Sequence, residues 1–216
     1  MPRARFSKLP RAAREELLAV AARHFAEEGC ERASLNAILG EAGLSKGSYY
    51  YYFEDKDDLF ATVLESAFDV WLARSPLPTF EGVRARDFWS TLERFVWRWT
   101  HSFDIADDAF QAALKITDAQ RKSPRFAAML AKSKSLYESL IVPGQRLGCI
   151  RRDLPLETLV RLLEANDLVL DGLLAERSGR LTQKDLDAHV ALVFDTFKRL
   201  LLAAPRRRTE RRRAHG

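Results

Sequence analysis

Apolar side chains recur every three to four positions through most of this chain. Between Arg11 and Glu28 they fall at Leu17, Leu18, Ala21, Ala22 and Phe25, the spacing that gathers them on one side of a helix of 3.6 residues per turn. Gly29 is a natural stop, and Ser34 is placed to cap a short second helix through Glu41 with Leu35, Ile38 and Leu39 inward. Gly43 breaks the pattern again. Ser45 then caps a third helix running to about Phe53, and after "EDK" a longer amphipathic helix carries Leu59, Phe60, Val63, Leu64, Phe68 and Trp71. The prolines of "SPLPTFEG", residues 75–82, mark a linker. Beyond it the periodicity predicts helices near 84–103, 106–120, 124–142, 156–177 and 184–203, with Ser123-Pro124 read as a cap followed by proline at the first helical position. The expectation is an all-α protein of about nine helices, in a small N-terminal unit and a larger C-terminal one.

The third helix holds the chain's most unusual run, "SKGSYYYYF" at residues 45–53, with four of its five tyrosines side by side. Four consecutive helical residues point four ways, so only one or two can be core. Tyr49 and Phe53 share the face that must pack on the first two helices, whereas Lys46 and Tyr50, Gly47 and Tyr51, and Ser48 and Tyr52 lie on other faces. A capped short helix, a glycine turn and a second capped helix have the shape of a helix-turn-helix. An exposed phenol suits a DNA surface: its ring can lie on a thymine methyl or a sugar, and its hydroxyl can reach a phosphate without carrying charge. Ser34 and Ser45 stand at helix N-termini, where free N–H groups favour a phosphate, and Lys46 and Lys56 bring positive charge to the two ends of the segment.

Charge sharpens this picture. The net +5 over 216 residues is unevenly spread. The tail at 205–216, "PRRRTERRRAHG", holds six arginines against one glutamate, and the first 14 residues hold Arg3, Arg5, Lys8, Arg11 and Arg14 with no acid, so the body between is acidic. Basic ends on an acidic body fit a polyanion met at the ends, or a pair of solubilising tails. No apolar run reaches the roughly 20 residues of a membrane-crossing helix, and the basic N-terminus lacks the apolar stretch of a secretion signal. A cytoplasmic protein with no membrane partner is expected. Two cysteines, Cys30 and Cys149, give neither a disulfide framework nor a metal-binding spacing. The four histidines come without HExxH, a phosphate loop or a nucleophile elbow. No metal, no cofactor and no catalytic residue is expected.

Residues 14–64 resemble the DNA-binding domain of the tetracycline-repressor (TetR/AcrR) family. The likeness rests on "LLAVAARHFAEEG", "ASLNAILGEAGLSKGSYYYYF" and "KDDL", in which Phe25, Gly29, Ala42, Gly43, Leu44, Ser45, Gly47, Tyr50, Tyr52, Phe53, Lys56 and Leu59 meet the family pattern. The resemblance implies a recognition helix at 45–52, with Lys46, Gly47, Ser48 and Tyr50 toward bases and Ser34, Tyr51, Tyr52 and Lys56 toward phosphates. It divides the chain into a basic arm (1–10), a three-helix DNA-binding domain (11–56), a ligand-binding and dimerisation domain (57–204) and an arginine-rich tail (205–216) expected to be disordered. Leu39 and Tyr49 depart from the pattern, and both enlarge the same helix crossing.

In the C-terminal half, "GCIRRDLPLETL" (148–159) resembles the turn into the family's first dimerisation helix. The helix that follows has two apolar stripes. One is Leu156, Val160, Leu163, Asp167, Leu170 and Leu174; the other is Leu159, Leu162, Asn166, Val169 and Leu173. The last helix has one, which includes Leu186, Val190, Val193, Phe194, Phe197 and Leu201. A four-helix dimer interface is expected from Leu163, Leu170, Gly172, Leu174, Val190, Val193, Phe194, Phe197 and Leu201. Asn166 and Asp167 interrupt the stripes, as a register-setting pair or as ligand contacts. Aromatic residues crowd 88–110 (Phe88, Trp89, Phe95, Trp97, Trp99, Phe103, Phe110). They suggest plain core or an apolar ligand pocket formed by Trp89, Trp97, Thr100, His101, Phe110, Tyr137, Asn166 and Asp167. The leading expectation is a homodimeric repressor released from a palindromic operator in double-stranded DNA by an apolar or aromatic inducer. The alternative is a ligand-independent nucleoid or division factor of the same fold, acting through a protein partner.

Overall fold

The computed structural model of the chain describes residues 5–102, 104–177 and 180–203. Phe103, the start of the arm at 1–4 and the arginine-rich tail at 205–216 lie outside the described residues. Among the described residues there are ten α-helices: α1 (Arg11–Arg32), α2 (Leu35–Glu41), α3 (Lys46–Tyr52), α4 (Lys56–Arg74), α5 (Phe88–Thr100), α6 (Asp108–Ala113), α7 (Asp118–Lys122), α8 (Ala127–Arg146), α9 (Leu156–Ala175) and α10 (Gln183–Leu201). An isolated antiparallel bridge between Ile150 and Leu202 ties the end of α10 to the turn before α9.

Local chemistry sets the first four boundaries. Gly29, at φ 75°, takes the chain out of helical geometry near the end of α1. Ser34 Oγ accepts from the Ala37 N–H at 3.3 Å, Ser45 Oγ from that of Ser48 at 3.1 Å, and an Asp55 carboxylate oxygen from that of Asp58 at 2.8 Å. Each cap satisfies an N–H that the helix leaves open. The apolar faces of α1 to α4 meet in a core where Leu17, Phe25, Ile38, Tyr49, Phe53, Leu59 and Phe60 have no exposed surface. Burying such a side chain is worth about 1.5–3 kcal/mol. Phe6 joins this core, 4.9 Å from Phe53 between ring centroids, so the arm is docked from that residue onward.

The helix expected over 106–120 is in fact two. Thr117 forms a capping box with Gln120, which starts α7 afresh. The intervening turn lets Lys115 reach back to the carbonyls of Ala26 and Glu27, the latter at 3.0 Å. Those carbonyls close the regular part of α1, where helix geometry leaves acceptors open and the dipole is negative. The next helix also differs: a 3-10 turn at Pro124–Phe126 precedes α8, which runs through Pro143 to Arg146 because Leu147 N–H still bonds to the Pro143 carbonyl at 3.0 Å. Helices α5, α8, α9 and α10 enclose a second core around Phe88, Phe95, Ile141, Leu159, Leu163 and Phe197. A third cluster, Trp71, Phe110, Leu174 and Leu186, joins α4, α6, α9 and α10.

Candidate DNA interface and ligand cavity

The turn from α2 to α3 passes through Gly43, at φ 64°, and brings α3 to the surface with its first turn open. Lys46, Gly47 and Ser48 are exposed there together with Tyr50 and Tyr51, at 51% and 47%. Tyr49 alone of the four tyrosines is fully buried, stacked on Phe53 at 5.4 Å, and its hydroxyl has no hydrogen-bond partner among the described residues. Burial raises that phenol's pKa above its ordinary value. Tyr52 is half-buried, edge-on to Tyr51 at 5.2 Å and to Phe6 at 6.1 Å. The Arg5 guanidinium lies 4.6 Å over the Tyr51 ring, a cation–π contact that fixes a positive charge beside the exposed phenols. Ser45 and Ser48 share a hydroxyl hydrogen bond of 2.9 Å. Lys56 is committed elsewhere: its ammonium donates to the carbonyls of Glu31 and Ala33 at 2.8 and 2.9 Å, pinning the start of α4 to the end of α1.

Behind this domain a cavity of about 250 Å³ opens among α4, α5, α6, α8, α9 and α10. Its walls are mostly aromatic, including Phe68, Trp71, Phe95, Trp99 and Phe110. Its polar groups are Thr100, Ser133, Tyr137, Asp167, Asp171 and His189. The Tyr137 hydroxyl donates to Asp167, and the His189 imidazole Nε2 sits 3.3 Å from Asp171. Burial and the nearby Asp171 push the Asp167 carboxyl up to about 8. Of the residues expected to line a pocket, Thr100, Phe110, Tyr137 and Asp167 do so.

Three comparisons bear on this geometry. The family model described as bacterial regulatory proteins, tetR family, matches residues 17–63, the segment that builds α1 to α3 and the start of α4. The chain is 27% identical over 188 residues to the HTH-type transcriptional repressor Rv1474c of Mycobacterium tuberculosis, covering 87% of this chain and 94% of that one. It is 29% identical over 195 residues to the HTH-type transcriptional repressor AcnR of Corynebacterium glutamicum, covering 88% and 95%. Residues 17–63 carry the tetR-family pattern. The fold agrees: the structure of TylP, a tetR regulator from Streptomyces fradiae, superposes with a TM-score of 0.63 at 19% identity, covering 89% of this chain and 88% of that one. That match and the repressors the chain resembles point to DNA binding through a helix-turn-helix and regulation of transcription, and no helix among the described residues is long and apolar enough to cross a membrane.

Several residues of this tetR-like chain lie elsewhere than its sequence suggested. Trp89 packs against Phe88 and Phe194 outside the cavity, and Trp97 stacks on His101, whose Nε2 is 3.0 Å from an Asp187 oxygen. The cavity takes the other side of α5, where Phe95, Val96, Trp99 and Thr100 point. Asn166 donates to the Thr196 hydroxyl at 3.2 Å, so it links α9 to α10, while Asp167 alone of that pair faces the cavity. The expected dimer contacts need correction as well. Leu163, Leu170, Leu174, Val190, Phe194, Phe197 and Leu201 are buried within one chain, Leu163, Phe194, Phe197 and Leu201 in the core of α5, α8, α9 and α10 and Leu174 against α4, α6 and α10, and Val193 lines the cavity. What stays open is the second stripe of α9, with Leu162, Val169 and Leu173 at 37%, 64% and 51% exposed and Gly172 beside them, continued on α10 by Leu192 at 44%. The sequence reading missed Asp171 and His189. Asp171 stands one turn after Asp167, a spacing that could have drawn it in.

Proposed function

We propose that the chain is a homodimeric transcriptional repressor that leaves a palindromic operator when a small apolar or aromatic molecule fills the cavity. The observation that carries this reading is the two-sided role of one segment. Phe110, Ala113 and Leu114 line the cavity, and Lys115, the next residue, holds the terminal carbonyls of α1 in the DNA-binding domain. A ligand that displaces this segment shifts α1, and the α3 it packs with, by at most its differential affinity for the two arrangements.

On the DNA side, Lys46, Gly47, Ser48 and Tyr50 contact bases, and Ser34, Ser45, Tyr51 and Tyr52 contact phosphates. Lys56 acts by supporting the helix ends from behind. Two copies joined through the open faces of α9 and α10 present two α3 helices to successive major grooves, about 34–36 Å apart in standard helix-turn-helix geometry. The site of action is the cytoplasm, where the DNA is.

Selection of random duplex DNA on the purified protein, sequenced after a few rounds, tests this. An enriched palindrome is the expected result. Enrichment of A·T-rich or arbitrary DNA, with no release by small molecules, overturns the reading in favour of a ligand-independent architectural factor.

A further inference from the structure

The cavity's polar groups are unbalanced in sign. Asp167 and Asp171 lie four residues apart on α9, so their carboxyls occupy one face a single turn apart. Both line the cavity, and among the described residues neither lysine nor arginine does; His189, beside Asp171, is the one basic group among those in the lining. Apart from Thr100, Ser133 and the Tyr137 hydroxyl, the rest of the wall is aromatic and aliphatic.

We infer that this site takes a small organic monocation, an amine whose ammonium group sits at the Asp167–Asp171 pair while its apolar body lies among Trp71, Trp99 and Phe110. The inference rests on the ligand-responsive reading above and narrows it. An anionic ligand would bring its charge against two carboxyls in an apolar enclosure, where Coulomb terms are far larger than in water. A neutral one gives the pair no countercharge beyond the neighbouring His189. An ammonium supplies a countercharge, donates up to three hydrogen bonds to the carboxyls and gains cation–π attraction from rings within reach. The volume of about 250 Å³ is worth roughly eight water molecules at about 30 Å³ each, which limits the ligand to a compact skeleton.

Protons report on the same contact. Asp167 faces the Tyr137 hydroxyl from α8, Asp171 and Glu164 on its own helix, and Arg121 from α7, with His189 of α10 behind Asp171. Unliganded, Asp167 is held up near 8 by burial and by Asp171, so at pH 7 it is largely protonated. A bound ammonium favours the carboxylate and expels that proton. Affinity for the amine therefore climbs as pH rises toward 8 and levels off above it, until the amine itself, near 10.4 by analogy with lysine, loses its charge.

Calorimetry of the full chain with 4-phenylbutylamine, 4-phenylbutanol and 4-phenylbutyrate, three compounds on one skeleton, tests the inference. The amine is expected to bind at least tenfold more tightly than the alcohol and the acid not at all, with heats that vary between buffers in the sense of proton release. Asp167→Asn and Asp171→Asn should each weaken the amine tenfold or more and spare the alcohol; circular dichroism shows which variants fold, and either one suffices. Equal or tighter binding of the alcohol or the acid overturns the inference. So does an amine affinity unchanged in both variants, and so does silence from all three compounds. A neutral or anionic compound that strips the protein from its selected DNA would sink the cation while preserving a ligand-responsive regulator. Failure of every compound to do so would take down that regulator as well.

Discussion

At the scale of single residues, Gly47 separates the demands of the fold from those of a partner. It sits in the exposed first turn of α3, and a methyl added there would meet only Ser45 Oγ, at 3.9 Å. Glycine inside a helix costs roughly 0.5–1 kcal/mol relative to alanine, so nothing among the described residues accounts for its presence, whereas a surface approaching from outside does. Gly47→Ala should raise thermal stability slightly while weakening binding to the selected duplex; a variant that binds DNA as well as the parent would show that the close approach is not needed. Tyr49 poses the reverse case. Its hydroxyl is buried without a partner among the described residues, and an unmet buried polar group costs about 1–3 kcal/mol. Tyr49→Phe keeps the ring stacked on Phe53 and removes the orphan, so melting should move up by a few degrees, at roughly 2–4 °C per kcal/mol for a domain of this size. A lower melting temperature would point to a hydroxyl contact that the folded chain makes elsewhere.

At the scale of elements, most boundaries set by neighbouring residues were readable and the packing set by distant ones was not. Ser34, Ser45 and Gly29 mark their helix ends through bonds and backbone angles within a few residues, and such chemistry is visible in a linear chain. The break between α6 and α7 rests on the Thr117–Gln120 capping box, which an unbroken apolar period concealed, and Lys115 holds that turn against carbonyls almost ninety residues earlier. The two stripes of α9 were legible as two faces, but which of them the chain covers with its own α5, α8 and α10 is a matter of tertiary arrangement. The pocket was half legible for the same reason. Tyr137 and Asp167 stood out as polar groups among apolar ones, while Trp89, Trp97 and His101 lie on aromatic stripes whose orientation only the packing decides.

At the scale of the whole molecule, the open stripe of Leu162, Val169 and Leu173 is the surface that a second copy would cover. A charge placed at its centre should prevent that without touching either core. Val169→Glu is therefore expected to sediment as a folded monomer and to lose most of its affinity for a palindromic duplex while keeping weak binding to a half-site. A variant that stays dimeric would move the interface elsewhere on the chain.

The interruption after Ala113 has a further consequence, for motion in time. Helices α6 and α7 have six and five residues, well short of the 12–15 at which an isolated helix becomes even marginal in water. They hold their shape only through what they touch: α1 by way of Lys115, Asp57 by way of Gln120 at 3.1 Å, and the cavity wall by way of Phe110. This stretch should open at a lower free energy than the long helices around it. Its amides are expected to exchange with deuterium ahead of those in α4 and α9, and to slow when the cavity is filled.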